Sequence, residues 1–397
     1  MTTSRKTAAA TRGAAAKKVV ARPAAKSGAG KARRRIAIAC QGGGSQTAFT
    51  AGALCGLLEG GVNEDFEIVS ISGTSGGAIC AALVWYALHK GESPAWQRVY
   101  EFWRDNMATT PQEKALNRQI VGALRLSNAG AVPSLSTSPY SPWMQMLMHW
   151  STHGLRPDFS DFRGLLEKHL DFDELRRWGA LDARPVLLVG AVDVLSGKLA
   201  RFSSRNEAVR VEQLLASAAV PDIFQAVEFD GGAYWDGLFS DNPPISEALQ
   251  GQFVGEENIA QEIWVIKINP TTCAEVPQTA SQISSRRNEL IGNGSLFQQI
   301  EAIQLKNELY LAGAFNPAFA RRLDIDGPVK IPKCFASDPD REYHIPFIEM
   351  SETLSSRLDY ESKLDRDEAH IEAMIADGEQ QAEVFLAARR AAMKRPR

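Results

Sequence analysis

Glu67-Ile68-Val69-Ser70-Ile71-Ser72-Gly73-Thr74-Ser75-Gly76-Gly77-Ala78-Ile79-Cys80-Ala81-Ala82-Leu83 is the stretch that decides the fold. Its first six residues are rich in β-branched side chains and read as a buried strand, Glu67 to Ser72. Gly73 to Gly77 follows as a turn, and Ala78 to Leu88 is an unbroken apolar run that reads as a buried helix. One unit upstream the plan is the same. Ile36-Ala37-Ile38-Ala39-Cys40 reads as a strand and runs into Gln41-Gly42-Gly43-Gly44. Ser45 to Glu59 then places Ala48, Ala51, Leu54, Cys55 and Leu58 at helical spacing and stops at Gly60-Gly61. Alternating β and α elements with wholly apolar strands imply an α/β fold with a largely parallel sheet covered on both faces.

Further along, the spacing predicts a helix over Phe162 to His169, a strand over Pro185 to Val192, a turn at Ser196-Gly197 and a strand over Leu199 to Ser203. A helix over Val211 to Ala218, ended by Pro221, precedes a hairpin from Phe229 to Trp235 around Asp230-Gly231-Gly232. Ile263 to Ile268 is a further buried strand. Residues 281 to 397 read as amphipathic helices, with a short strand near His344 to Met350 and a charged C-terminal helix. The Trp143-Met144-Gln145-Met146-Leu147-Met148-His149-Trp150 stripe is expected to fill a core, with a lid or lipid-contacting flap as the second reading.

The chain of 397 residues, 44% hydrophobic, can bury one large domain of roughly 250 to 300 residues plus extensions. Its net charge of -3 is uneven: residues 1–35 hold 11 Lys and Arg and no acid, which leaves about -14 for the rest. That tail has almost no large apolar side chain and is expected to be disordered. It reads as a solubilising segment or as one attracted to an anionic surface, such as a membrane, a lipid inclusion or nucleic acid. The expected organisation is a basic tail over 1–35, a catalytic domain over 36–280, and a mostly helical extension over 281–397 packed on it. No stretch approaches the roughly 20 apolar residues of a membrane span, and no secretory signal is apparent. Cys40, Cys55, Cys80, Cys273 and Cys334 are odd in number and widely spaced, mostly in apolar runs, as for reduced core thiols. These features point to a cytoplasmic protein, peripheral to membranes at most.

Gly73-Thr74-Ser75-Gly76-Gly77 has the Gly-x-Ser-x-Gly form. Between a strand and a helix, such a turn needs flanking residues without Cβ so that the serine projects above the sheet. The following helix aims its N-terminal amides and positive dipole end at Ser75 Oγ. Gly42-Gly43-Gly44 occupies the equivalent place after the first strand and is the candidate oxyanion hole, a set of Gly42, Gly43 and Gly44 in which the amides of Gly43 and Gly44 are the foremost donors. A nucleotide phosphate is the competing ligand for such a loop. No Gly-Lys-Ser/Thr ending is present, and the third glycine of a dinucleotide fingerprint is missing. A serine nucleophile also needs a base. None of His89, His149, His153, His169, His344 and His370 sits beside a motif-like turn. Asp236, within Trp235-Asp236-Gly237-Leu238-Phe239-Ser240-Asp241-Asn242-Pro243, is the better candidate, although Asp-Gly alone is ordinarily a hairpin turn.

The three ordered motifs, from residue 36 to about 245, resemble the patatin-like phospholipase family. They are Gly42-Gly43-Gly44, then Gly73-Thr74-Ser75-Gly76-Gly77, then Ala216 to Pro221 leading into Tyr234-Trp235-Asp236-Gly237 with Asn242-Pro243 behind. The resemblance implies a three-layer α/β/α fold and a Ser75–Asp236 dyad without histidine. It also implies no cofactor or catalytic metal, and hydrolysis of phospholipid or neutral acyl esters in lipid catabolism. Three positions depart from the family pattern: Gln46 stands for Lys or Arg, Thr47 for Gly, and Leu238 is the third residue of the Asp-Gly motif. An uncharged Gln46 leaves the headgroup preference open. Two other readings stand beside this one: an α/β-hydrolase triad with His344 or His370 as base, and a non-catalytic anion- or lipid-binding module. The expected partner is a lipid or acyl-ester substrate, with residues 1–35 a candidate contact to anionic surfaces; no specific nucleic-acid partner is expected.

Overall fold

A computed structural model describes residues 33–131, 138–221, 223–273, 275–311, 316 and 345–394. The described residues from Arg33 onward form one compact unit. Among the described residues, eight strands build one mixed sheet: β1 (Arg34–Cys40), β2 (Phe66–Thr74), β3 (Val186–Asp193), β4 (Leu199–Ser203), β5 (Val227–Phe229), β6 (Gly232–Asp236), β7 (Glu262–Lys267) and β8 (Phe347–Glu349). Their order is β5-β6-β3-β2-β1-β7-β8, with β4 paired to β3. The run β3-β2-β1-β7-β8 is parallel, while β4, β5 and β6 are antiparallel.

Alternation along the strands sorts side chains into two cores. Ile36, Ile38 and Cys40 of β1, with Trp264 and Ile266 of β7, face one cluster; Ala37 and Ala39, with Ile263 and Val265, face the other. Helices Ala48–Glu59, Gly76–Lys90 and Glu368–Lys394 cover the first face, and Ala280–Leu311 covers the second. The result is the expected three-layer α/β/α arrangement. Because β2 and β7 flank β1, the chain's path reverses there, and loops leaving the carboxyl ends of β1 and β2 meet above the sheet. Cys40 pairs in register with Gly73, so the Gly42–Gly44 loop and the Ser75 turn emerge side by side.

Several expectations need correction. The Trp143–Trp150 stripe is not core: helix Pro142–Thr152 buries no residue, and Trp143 and Trp150 are 62% and 71% exposed. Its approach is tied to the body by Tyr140, whose hydroxyl accepts the Ala226 amide at 2.9 Å, and by Gln225 Nε2, which donates to the Pro139 carbonyl at 3.1 Å. The helix expected over Val211 to Ala218 spans Val211–Ser217, so it stops ahead of Pro221, and beyond it the Ala219 carbonyl accepts the Asp236 amide. The hairpin turn is Asp230-Gly231 alone, both at positive φ, and Gly232 already belongs to β6. Cys40, Cys55 and Cys80 are buried free thiols, but Cys273 lies exposed in a loop. His344, Cys334 and residues 1–32 lie outside the described residues.

Candidate active site

Ser75 stands between β2 and the helix Gly76–Lys90 with φ 55° and ψ -134°, a conformation that costs a non-glycine residue on the order of 1–3 kcal/mol. The surroundings hold it there. The Ser75 amide donates to Ser217 Oγ at 2.9 Å, and that hydroxyl donates to the Gly190 carbonyl of β3 at 2.7 Å. The Ser75 carbonyl meanwhile accepts the Ala78 amide at 2.9 Å as the helix opens. A Cβ on Gly76 would collide with Thr47 Oγ1, so the glycine after the serine is required by close packing against the first loop.

Asp236 closes β6, in register with Ala191 of β3. It is 1% exposed. Its Oδ1 accepts the Leu238 amide at 2.8 Å, and its Oδ2, also buried, has no partner of full hydrogen-bond geometry. Burial raises its pKa from 3.8 to about 7, against the lowering influence of the Ser75 side chain, the Leu238 amide and Lys363. The Ser75 side chain thus acts on the Asp236 carboxyl, favouring its ionised form, while Oδ2 is left without a full hydrogen-bond partner. Gly237 is needed because a Cβ there would stand 2.8 Å from the Gly190 carbonyl oxygen and 2.9 Å from Thr74 Cγ2. The neighbouring carboxylate, Asp241, is neutralised by Arg201 at 2.7 Å and offers no second base.

In the glycine loop, the Gly42 amide donates to Asn242 Oδ1 at 2.6 Å, while Asn242 Nδ2 returns a 3.3 Å bond to the Gly42 carbonyl. Gly42 therefore supports the loop and cannot serve as an oxyanion donor, contrary to its expected place in that set. The Gly43 and Gly44 amides have no such partner among the described residues, and Gly44 takes φ +59° as the chain turns into the short helix Gly44–Thr47.

Residues 38–249, more than half of the chain, match the family described as patatin-like phospholipase. The chain belongs to the patatin-like phospholipase family. That membership supports lipid acyl hydrolase activity. No curated protein matches the chain. Among solved structures, VipD from Legionella pneumophila is similar at 12% identity and a TM-score of 0.30, with 87% of this chain and 67% of that one covered. ExoU, in its complex with SpcU from the type III secretion system of Pseudomonas aeruginosa, is similar at 15% identity and a TM-score of 0.25. That alignment covers 67% of this chain and about half of ExoU, 52%.

Within this patatin-like frame, the departures from the family pattern have structural roles. Gln46 Nε2 donates to Ser362 Oγ at 2.9 Å and to the Asp359 carbonyl at 3.1 Å, so it docks a C-terminal segment beside the loop. Thr47 Oγ1 donates to the Gly44 carbonyl, and the Leu238 amide holds Asp236. Sequence reading missed Gln41, Ser217 and Lys363. Gln41 is fully buried; its Oε1 accepts the Ile268 and Asn269 amides at 2.9 Å, and its Nε2 donates to Asn293 Oδ1 at 3.0 Å. Gln41 thereby ties the glycine loop to β7's exit and to helix Ala280–Leu311. Its place at the head of the glycine loop was a visible signal. Among the described residues, His89 pairs with the Pro185 carbonyl at 2.9 Å, His169 with Asp105 at 2.7 Å and His370 with the Ser362 carbonyl at 3.3 Å, while His149 lies on helix Pro142–Thr152 and His153 just beyond its end.

Proposed function

We propose that this chain hydrolyses acyl esters of lipids through a Ser75–Asp236 dyad. The observation that carries the reading is Asp236 Oδ2, a buried carboxylate oxygen without a full partner, adjoining a serine held in a strained turn over the carboxyl edge of the sheet. An ionisable group with a pKa near 7 is matched to taking and returning a proton near neutral pH. In the first half-reaction Ser75 Oγ attacks the ester carbonyl carbon while its proton passes to Asp236. The carbonyl oxygen, now negative, is received by the Gly43 and Gly44 amides. Collapse expels the alcohol or lysolipid, which takes the proton from Asp236 and leaves an acyl-Ser75 ester. Water then attacks that ester, Asp236 accepts its proton, and collapse returns that proton to Ser75 as the fatty acid leaves.

Family membership supports the substrate class, and a role in lipid catabolism, at a cytoplasmic or peripheral membrane location, is part of the same proposal. The test is hydrolysis of phosphatidylcholine vesicles and a p-nitrophenyl ester by single variants. Ser75→Ala and Asp236→Ala should lose at least about 100-fold in kcat, whereas His344→Ala and His370→Ala should stay within twofold of wild type. A folded His344→Ala or His370→Ala variant without activity would establish a histidine base instead.

A further inference from the structure

The region beyond residue 249 is not merely scaffold. β8 extends the parallel sheet, and the turn Glu361–Leu364 lies against the Gly44–Thr47 helix that follows the oxyanion loop. A Cβ on Gly44 would collide with the Lys363 carbonyl oxygen, and one on Gly43 would stand 3.7 Å from Lys363 Cε. The loop is glycine there partly because Lys363 packs behind it. The Lys363 ammonium donates to Asn269 Oδ1 at 2.8 Å, and Asn269 is held in turn by Gln41. One buried polar chain thus joins this lysine to the base of the glycine loop.

We propose that Lys363 is a positioning residue of the active site, whose ammonium, braced on Asn269 behind Gly43 and Gly44, favours the negative charge carried by Asp236 and by the nearby oxyanion. The inference rests on the dyad reading and adds to it a group from outside the matched family region. Mutual electrostatics agree: Lys363 favours the ionised form of Asp236, and Asp236 favours the charged form of Lys363. Burial is the largest influence and brings the lysine pKa down to about 8, against the raising effect of Glu289 first and of Asp236 second. The other charges near Lys363 are already partnered: Glu289 with Arg286 at 2.9 Å, and Asp359 with Arg125 at 2.7 Å. Glu361 accepts from Asn128, and His370 faces the Ser362 carbonyl. Among the described residues, Lys363 is therefore the cation whose charge acts on Asp236.

Removing that charge should raise the Asp236 pKa and move the acid limb of the kcat profile to higher pH, since Asp236 must be ionised to act as base. Wild-type activity should rise through about pH 7 and fall through about pH 8, as Asp236 ionises and Lys363 loses its proton. In Lys363→Met, the acid limb should move up by about one unit, kcat at pH 6.5 should drop about tenfold with KM within twofold, and the fall near pH 8 should vanish. Lys363→Arg should keep the acid limb and lose the fall. Lys363→Gln replaces the methionine variant if melting shows that it does not fold. A profile superposing on wild type, or a change confined to KM, overturns the inference. Ser75→Ala runs alongside: if it retains wild-type activity, the dyad reading itself fails, a result separable from the Lys363 outcome.

Discussion

Asp236→Asn should make the folded protein more stable while destroying its activity. The amide keeps the side-chain shape and the oxygen that accepts the Leu238 amide, but it removes a carboxylate that burial disfavours. The folded carboxyl has a pKa of about 7 against 3.8 for the free group, so the native state binds its proton more tightly than the unfolded state does. Below both values the group is neutral in either state and costs nothing. As pH rises from about 4 towards 7, the unfolded chain ionises first and native stability falls; above 7 the whole cost is present. A difference of roughly three units at 1.36 kcal/mol each is about 4 kcal/mol. Urea unfolding of wild type and Asp236→Asn should show the variant gaining about 3–4 kcal/mol more at pH 8 than at pH 4, with kcat down at least 1000-fold. A stability difference that stays constant between those pH values would refute the argument that Asp236 is buried at a cost to the fold.

Two further outcomes follow from packing. Gly42→Ala places a Cβ 2.8 Å from Ser75 Cβ and against the Thr74 carbonyl, so it should displace the nucleophile, cost about 1–3 kcal/mol in unfolding and abolish ester hydrolysis; an active variant with native stability would contradict the loop geometry. Trp143→Ala and Trp150→Ala remove exposed rings and should each shift unfolding free energy by less than about 0.5 kcal/mol, whereas losses of 3 kcal/mol or more would show that the helix is buried after all.

The two β-α units were legible in the chain because their strands are short apolar runs that end at glycines, a pattern set by local sterics and by burial on both faces. Ser75 and the glycine loop are legible for the same reason. Asp236 could be singled out only in combination with the other motifs, since Asp-Gly is a common turn pair, and the burial that leaves its Oδ2 without a partner has no local sequence signal. Lys363, 127 positions beyond Asp236, leaves no local trace: its position depends on Gln46 docking Ser362 and on Asn269 bracing the ammonium. The Trp143–Trp150 stripe failed as a core prediction because apolar composition implies burial only where the fold supplies a facing surface, and helix Pro142–Thr152 meets none that buries a residue. Gly42 failed as a donor because its amide is taken by Asn242, a partner 200 residues away.

In the proposed mechanism Ser75 is the nucleophile and Asp236 activates it. Peptide-mapped mass spectrometry after incubation with a fluorophosphonate tests this directly. The wild-type protein should carry a single adduct on Ser75, Ser75→Ala none, and folded Asp236→Asn should label at least about 100-fold more slowly. An adduct on another serine, no adduct at all, or an Asp236→Asn variant that labels at the wild-type rate would contradict it.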